Sequence, residues 1–231
     1  MCSTSNSGRL NTDLPQLCNT EERPIVILVL IFAATCNKFC IVKMDDGIFR
    51  VIIATDNHLG YAERDSIRSN DSFAAFEEVL ITAKEKKADF VLLAGDMFHE
   101  NKPSRRTTHA AMRLLRRHCL GEEPVHMEIL SEQSEVFKTG PLGKVNYEDP
   151  YQSVSLPVFA IHGNHDDPSR EGGSGESLAA LDLLSVSNLI NYFGKSEQVD
   201  DIEIVPILIR KGETCIALYG LGENQSRQFF S

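Results

Sequence analysis

Three short apolar runs mark the chain: Val51-Ile52-Ile53-Ala54, Phe90-Val91-Leu92-Leu93 and Val158-Phe159-Ala160-Ile161. Their length and their β-branched and aromatic content are those of buried strands. The pattern predicts core strands over 49–55, 89–94 and 157–162. Between the first two, Asn70-Asp71 offers a cap to a helix ending near Lys86-Lys87, with Phe73, Phe76, Leu80 and Ile81 at helical spacing. Strand, helix and strand in that order form a βαβ unit, expected to be parallel and right-handed. Ser104, after Pro103, caps a second helix running to about Leu120, with Ala111, Leu114 and Leu115 inward. Val125 to Leu130 alternates like a strand, and residues 131–156 read as a long polar insertion, a class of segment that is functional or disordered. Gly172-Gly173-Ser174-Gly175 reads as a hinge before a helix over about 176–187. Two strands, 202–210 and 214–220, are expected around a Lys211-Gly212 turn.

The first 43 residues read differently. Residues 1–23 are rich in Ser, Asn and Thr with no hydrophobic period, a disordered composition. Pro24 to Ala34 is an eleven-residue apolar run, against the roughly 20 residues of a membrane-spanning helix. It starts late and follows Glu21-Glu22, where a secretory signal carries positive charge. Two readings stay open, a peripheral strand or an extension upstream of a functional start at Met44. The expected organisation is thus an extension over 1–43 and one α/β domain over 46–231 with its insertion at 131–156.

A net charge of −10 weighs against nucleic-acid binding through the overall field, so such contacts must be local or carried by bound cations. Lys102, Arg105, Arg106, Arg113, Arg116 and Arg117 form the densest basic tract, of which Arg113 to Arg117 read as a solvated helix face. It is too interrupted for a nuclear localisation run. The six cysteines make no Cys-x-x-Cys pair, which fits free thiols in a reducing compartment.

Metal-ligating residues follow each core strand: Asp56-Asn57-His58, Gly95-Asp96 and Gly163-Asn164-His165. The carboxyl ends of strands are where open α/β sheets keep their ligands. Asp56 and His58, two apart at a strand end, are expected to point to one side with Asn57 turned away. Asp96 has two oxygens with which to bridge two ions, and Gly95 lets the backbone approach. Asn164 offers a neutral amide oxygen, and His165 is a ligand or a proton donor. Each signal alone is that of an ordinary loop. Together and in this order they specify a divalent-metal site, and the mixture of oxygen and imidazole donors favours manganese.

Three stretches carry a resemblance: Thr55-Asp56-Asn57-His58-Leu59-Gly60-Tyr61, Gly95-Asp96-Met97-Phe98-His99-Glu100-Asn101-Lys102-Pro103-Ser104-Arg105 and His162-Gly163-Asn164-His165-Asp166-Asp167-Pro168. They resemble the calcineurin-like metallophosphoesterase superfamily and, within it, the nuclease subunits of MRN/SbcCD-type double-strand-break repair complexes, over about 49–223. The resemblance implies a four-layer α/β/β/α sandwich and a manganese-dependent DNA nuclease, with exonuclease and endonuclease activity and two ions in the complete site. It assigns Asp56, His58, Asp96 and Asn164 to the metals, with Asp96 bridging. His165 would protonate the leaving oxygen or steady the transition state, supported by His99, and Lys102 and Arg105 would touch DNA phosphates. The implied partners are DNA, an SMC-like ATPase subunit, a eukaryotic regulatory subunit at 131–156 and a second copy through helices near 104–119 and 176–187. The resemblance also implies no membrane role and a nuclear compartment. Leu114, Leu115, Leu181 and Leu184 are open to that dimer contact or to the intrachain core.

The chain departs from the pattern in two respects. The family draws three further histidine ligands from later motifs, whereas none follows His165 here. An amino-terminal part of the domain is therefore expected, with one ion lacking a ligand and the other keeping only Asp96 and Asn164. Asn57 also stands where the nucleases carry an apolar residue, and needs a partner if buried. Two alternatives follow, a non-catalytic binding or dimerisation fragment and a phosphomonoesterase of the same superfamily. The Asn101-Lys102-Pro103-Ser104 context favours the nuclease over the second.

Overall fold

The computed structural model describes residues 26–32, 47–138, 140–170, 177–195 and 204–221. Its first sheet is wholly parallel: β2 (Val51–Ala54), β3 (Phe90–Ala94), β5 (Val158–Ile161) and β8 (Asn191–Tyr192), in the order β2-β3-β5-β8. The second has the order β1-β10-β9-β4, from β1 (Val26–Phe32), β10 (Thr214–Leu221), β9 (Ile207–Lys211) and β4 (Glu128–Ile129). In it β1 runs parallel to β10 and the other pairs are antiparallel. A ribbon of β6 (Ser169–Arg170) and β7 (Ser177–Leu178) stands apart.

The apolar runs are continuous because both faces of the parallel sheet are covered. Ile52, Ala54, Val91, Leu93, Val158 and Ala160 face a core shared with the helices α1 (Asp71–Glu85), α2 (Arg105–Cys119) and α4 (Ala180–Val186). The alternate residues Val51, Phe90, Leu92, Phe159 and Ile161 face the second sheet and meet Ile129, Ile207, Ile209, Ile216 and Leu218. Phe159 sits at the centre of that layer, its ring 5.2 Å from Phe90, 6.2 Å from Phe137 and 6.5 Å from Phe193. The architecture is α/β, with helix, sheet and sheet layers. The far face of the second sheet carries Ile204, Ala217, Tyr219 and Leu221, and no described helix joins that cluster. The expected fourth layer is therefore not among the described residues.

Helix α1 buries Phe76, Val79, Leu80 and Ala83, a spacing that places one stripe on the sheet. Its expected Asn70 cap does not form: the Asn70 side chain makes no cap hydrogen bond and accepts from Arg106 Nη2 at 2.9 Å. Helix α2 begins as expected. Ser104 Oγ accepts from Thr107 N at 3.1 Å and donates to Glu63 Oε1 at 2.6 Å, tying the helix start to the loop after β2. Leu114, Leu115, Leu181 and Leu184 are all buried in one core cluster, which favours the intrachain reading. On α4 the exposed residues are Leu183 and Val186.

Several elements differ from expectation. Only Glu128–Ile129 of the run 125–130 pairs as a strand. The helix expected over 176–187 starts at Ala180, after β7, and its first free amide is met by Asp182, whose carboxylate accepts from Ala179 N at 2.7 Å. The strand expected over 202–210 is Ile207–Lys211.

The polar insertion is built into the core. Its short helix α3 (Gln133–Val136) and the following chain put Val136, Phe137 and Val145 into the layer between the sheets. A one-turn 3-10 helix, Asn146–Glu148, lays Asn146 beside β8, where Asn146 N donates to Asn191 Oδ1 at 2.7 Å and Asn191 Nδ2 returns to Asn146 Oδ1 at 3.0 Å. Sparse apolar residues in a polar segment thus anchor it, a signal that average polarity hides.

The Gly172–Gly175 hinge lies outside the described residues, as do residues 1–25 and 33–46 of the chain before β2. Among the described residues no helix is long and apolar enough to cross a membrane. Cys119 and Cys215 are free thiols, and the other four cysteines are outside the described residues. Burial pushes the Cys119 thiol up to about 12.

Candidate metal centre

The three loops after β2, β3 and β5 meet at one end of the parallel sheet. The first two run side by side beyond their strands: Asp56 N donates to Gly95 O at 3.2 Å, His58 N to Asp96 O at 3.0 Å and Leu59 N to Met97 O at 2.8 Å. The second loop answers with His99 N to Leu59 O at 3.1 Å. This ladder fixes the first two ligand loops to each other before any ion is bound.

Asp56 and His58 share the site for a different reason from the one expected. Neither is in a strand conformation: φ is 55° at Asp56, 44° at His58 and 48° at Asp96. Three non-glycine residues in the left-handed region within one site store backbone strain, held by the ladder around them. The result still brings Asp56 Oδ1 to 3.7 Å from His58 Nε2. Asn57 Nδ2 is buried without a hydrogen-bond partner, the cost expected of an amide at that position.

The third loop docks onto Asp96. His165 N donates to Asp96 Oδ1 at 2.8 Å, and Gly163 lies so close that a Cβ there would stand 2.2 Å from the same oxygen. Asp166, fully buried, accepts from Gly163 N at 2.7 Å and from Phe98 N at 3.2 Å, which clamps the third loop to the second. Burial, with Asp96 nearby, pushes its carboxyl up to about 6 against those amides.

Behind the loop, His162 Nδ1 and the Tyr192 hydroxyl are 2.7 Å apart, and His162 Nε2 is 3.3 Å from Asp167 Oδ1. Burial lowers the His162 pKa to about 4, so the ring is neutral at pH 7, with Nδ1 accepting a hydrogen bond from the Tyr192 hydroxyl and Nε2–H facing Asp167. Asn101 Nδ2 also donates to Asp167 O. Asp166 and Asp167 were visible as parts of a motif, but their clamping role was not. Tyr192 sits in a two-residue strand and gave no sequence signal.

Two ligand groups result. Donor atoms of Asp56, His58 and Asp96 lie within 4.8 Å of one another, as do those of His58, His99 and His165. The His58 ring is 4.8 Å from His165 edge to face, while His99 and His165 stack at 5.3 Å. His165 Nδ1 is 2.8 Å from His99 O, so that nitrogen carries a hydrogen and Nε2 is left for chemistry. Burial outweighs the attraction of Asp96 and lowers the His58 pKa, with His165 and His99 adding to the effect, so its imidazole is held neutral as a ligand needs. Two carboxylates and a neutral imidazole at these distances fit a divalent cation.

Asn164 is exposed on the third loop, Lys102 on the loop that leads into α2, and Arg105 at the first residue of α2. The structure thus gathers Asp56, His58, Asp96, His99 and His165 into one cluster and leaves Asn164, Lys102 and Arg105 at the solvent side of the same loops.

The calcineurin-like phosphoesterase family pattern matches residues 49–228. Over 178 residues the chain is 50% identical to the double-strand break repair protein MRE11 of Homo sapiens, covering 77% of this chain and 25% of that protein. It is 54% identical over 177 residues to double-strand break repair protein MRE11 of Arabidopsis thaliana, covering 75% and 24%. With double-strand break repair protein mus-23 of Neurospora crassa it shares 52% over 179 residues, covering 78% and 24%. The chain spans about a quarter of the length of these curated relatives.

Proposed function

The chain belongs to the calcineurin-like phosphoesterase family, and from that membership we propose that it serves a manganese-dependent DNA nuclease of double-strand-break repair, acting in the nucleus. The observation that carries the reading is the convergence of three strand-end loops on Asp96. Its carboxylate is seated by His165 N and pressed by Gly163, and it shares a ligand group with Asp56 and His58.

Asp56, His58 and Asp96 would hold one ion, and Asp96 with Asn164 would reach a second. When bound, such ions polarise a phosphoryl oxygen and make water a nucleophile near neutral pH. The protein's own groups do the rest. His165 anchors Nδ1–H on the His99 carbonyl and would donate a proton from Nε2 to the leaving sugar oxygen. His99 stacks on that ring and fixes its plane. Lys102 and Arg105, exposed at the rim, would hold flanking phosphates without reading sequence. The exonuclease and endonuclease balance, an SMC-like ATPase partner, a regulatory partner on the 131–156 insertion and a dimer through α2 and α4 belong to the same proposal.

The test is cleavage of single-stranded and end-containing DNA by the 231-residue chain in Mn²⁺. Cleavage abolished by His165→Ala and by chelation is the expected result. Mn²⁺ binding with no cleavage by the wild type would contradict it and support a binding or dimerisation fragment instead. Hydrolysis of phosphomonoesters in place of DNA would support the phosphatase alternative.

A further inference from the structure

Beside the histidine cluster the rim carries an aromatic ring that neither metal binding nor proton transfer uses. Tyr61 follows the Asp56 and His58 pair by a tight turn, its N–H donating to His58 O at 2.9 Å. The residue is 46% exposed, far more than its apolar ring area favours, and it is nevertheless held in place. One edge contact places its ring 5.0 Å from His99 at 86°, and the Arg68 guanidinium lies 5.6 Å from the ring centroid. Two further features restrain the loop: Gly60 N donates to Ser72 Oγ at 3.2 Å, and Asp65 Oδ1 accepts from the amides of Ile67 and Arg68 at 2.8 and 2.9 Å.

An exposed aromatic ring, backed by a guanidinium and standing one side chain from the metal ligands, is the arrangement of a stacking platform. Base-on-aromatic stacking is tolerant of sequence, because every base has a π-face, and an arginine over the ring adds a cation–π contribution. A nucleotide whose phosphate reaches the ligands of the centre has its base one sugar away, within range of a ring that touches His99. A solvated tyrosine that merely supports His99 would need neither the exposure nor the arginine.

We propose that Tyr61, backed by Arg68, is a specificity-determining platform on which the nucleobase next to the scissile phosphate stacks. This favours unpaired bases over bare phosphodiester. The inference rests on the DNA reading above and deepens it by naming single-stranded nucleotides as the ligand of this rim.

The experiment compares two phosphorothioate oligonucleotides bound to the Mn²⁺-loaded 231-residue chain. One carries a central 2-aminopurine among ordinary bases, and the other is abasic at the same positions. Wild type is expected to prefer the base-containing oligonucleotide by roughly 5- to 150-fold, the range that stacking one base supplies, and to quench the 2-aminopurine. Tyr61→Phe should keep both effects. Tyr61→Leu, which retains bulk against His99 without a π-face, should lose both while binding Mn²⁺ as wild type does. Equal binding of both oligonucleotides by wild type, absence of quenching, or undiminished preference in Tyr61→Leu would overturn the platform and leave the DNA reading standing. If wild type bound neither oligonucleotide, the DNA reading itself would fall, and this inference with it.

Discussion

Replacing Gly163 by alanine tests how the centre is assembled. No positive φ is required at this residue, so the demand for glycine is one of room. An added Cβ would stand 2.2 Å from Asp96 Oδ1 and 2.6 Å from both Asp96 Cγ and Asp96 N. Ordinary contact asks for the carboxylate to retreat by roughly 1 Å, and the backbone nitrogen cannot rotate aside as a side chain would. The same retreat breaks the 2.8 Å bond from His165 N to that oxygen. Overpacking of this kind costs about 1–3 kcal/mol. Losing a hydrogen bond to a charged group adds about 1.5–3 kcal/mol. Gly163→Ala should therefore be destabilised by about 2.5–6 kcal/mol, a fall in melting temperature of roughly 5–24 °C for a chain of this size. Its Mn²⁺ affinity should drop about 10- to 100-fold, as when a supporting partner of a ligand is lost. Circular-dichroism melts in chelator, followed by Mn²⁺ calorimetry, measure both. A variant that melts and binds Mn²⁺ like wild type would refute the seating of Asp96 against the third loop.

Three further outcomes are expected. Tyr192→Phe removes the hydroxyl 2.7 Å from buried His162 Nδ1 and should cost about 1–3 kcal/mol in urea unfolding; an unchanged midpoint would sever the link between β8 and the third loop. Asn146→Ala removes the side-chain bonds from Asn191 Nδ2 and to Asn188 O, leaving Asn146 N on Asn191 Oδ1, and should raise amide exchange across the 3-10 turn and the rest of the insertion. Unaltered protection there would mean the insertion is held by its apolar residues alone. Cys119, its thiol pushed up to about 12 by burial, should resist iodoacetamide at pH 8 until the protein unfolds, as read by mass spectrometry.

Much of the centre was legible because its residues repeat one context, a polar ligand after a buried strand. The runs ending at Ala54, Ala94 and Ile161 fixed where the three loops begin, and both faces of that sheet proved to be covered. The expected geometry of Asp56 and His58 failed because strand alternation stops at the last paired residue. Left-handed backbone then aims them, and no single-sequence pattern signals it at an aspartate or histidine. Asn70 misled for a comparable reason, since a residue with capping chemistry was engaged by Arg106 from another helix. In the insertion, Phe137 and Val145 pack against residues distant in sequence, and local polarity carried no trace of those contacts. Asp166 shows the same limit within a recognised motif: it is a clamp because Phe98 and Gly163 converge on it from two loops.

The account turns on Asp96 joining the three loops into one metal centre. Calorimetric Mn²⁺ titration of the wild-type chain beside Asp96→Ala tests it most directly. At least one Mn²⁺ bound per wild-type chain, with binding lost in Asp96→Ala while the variant stays folded, is the predicted result. No binding by the wild type, or equal binding by the variant, would contradict it.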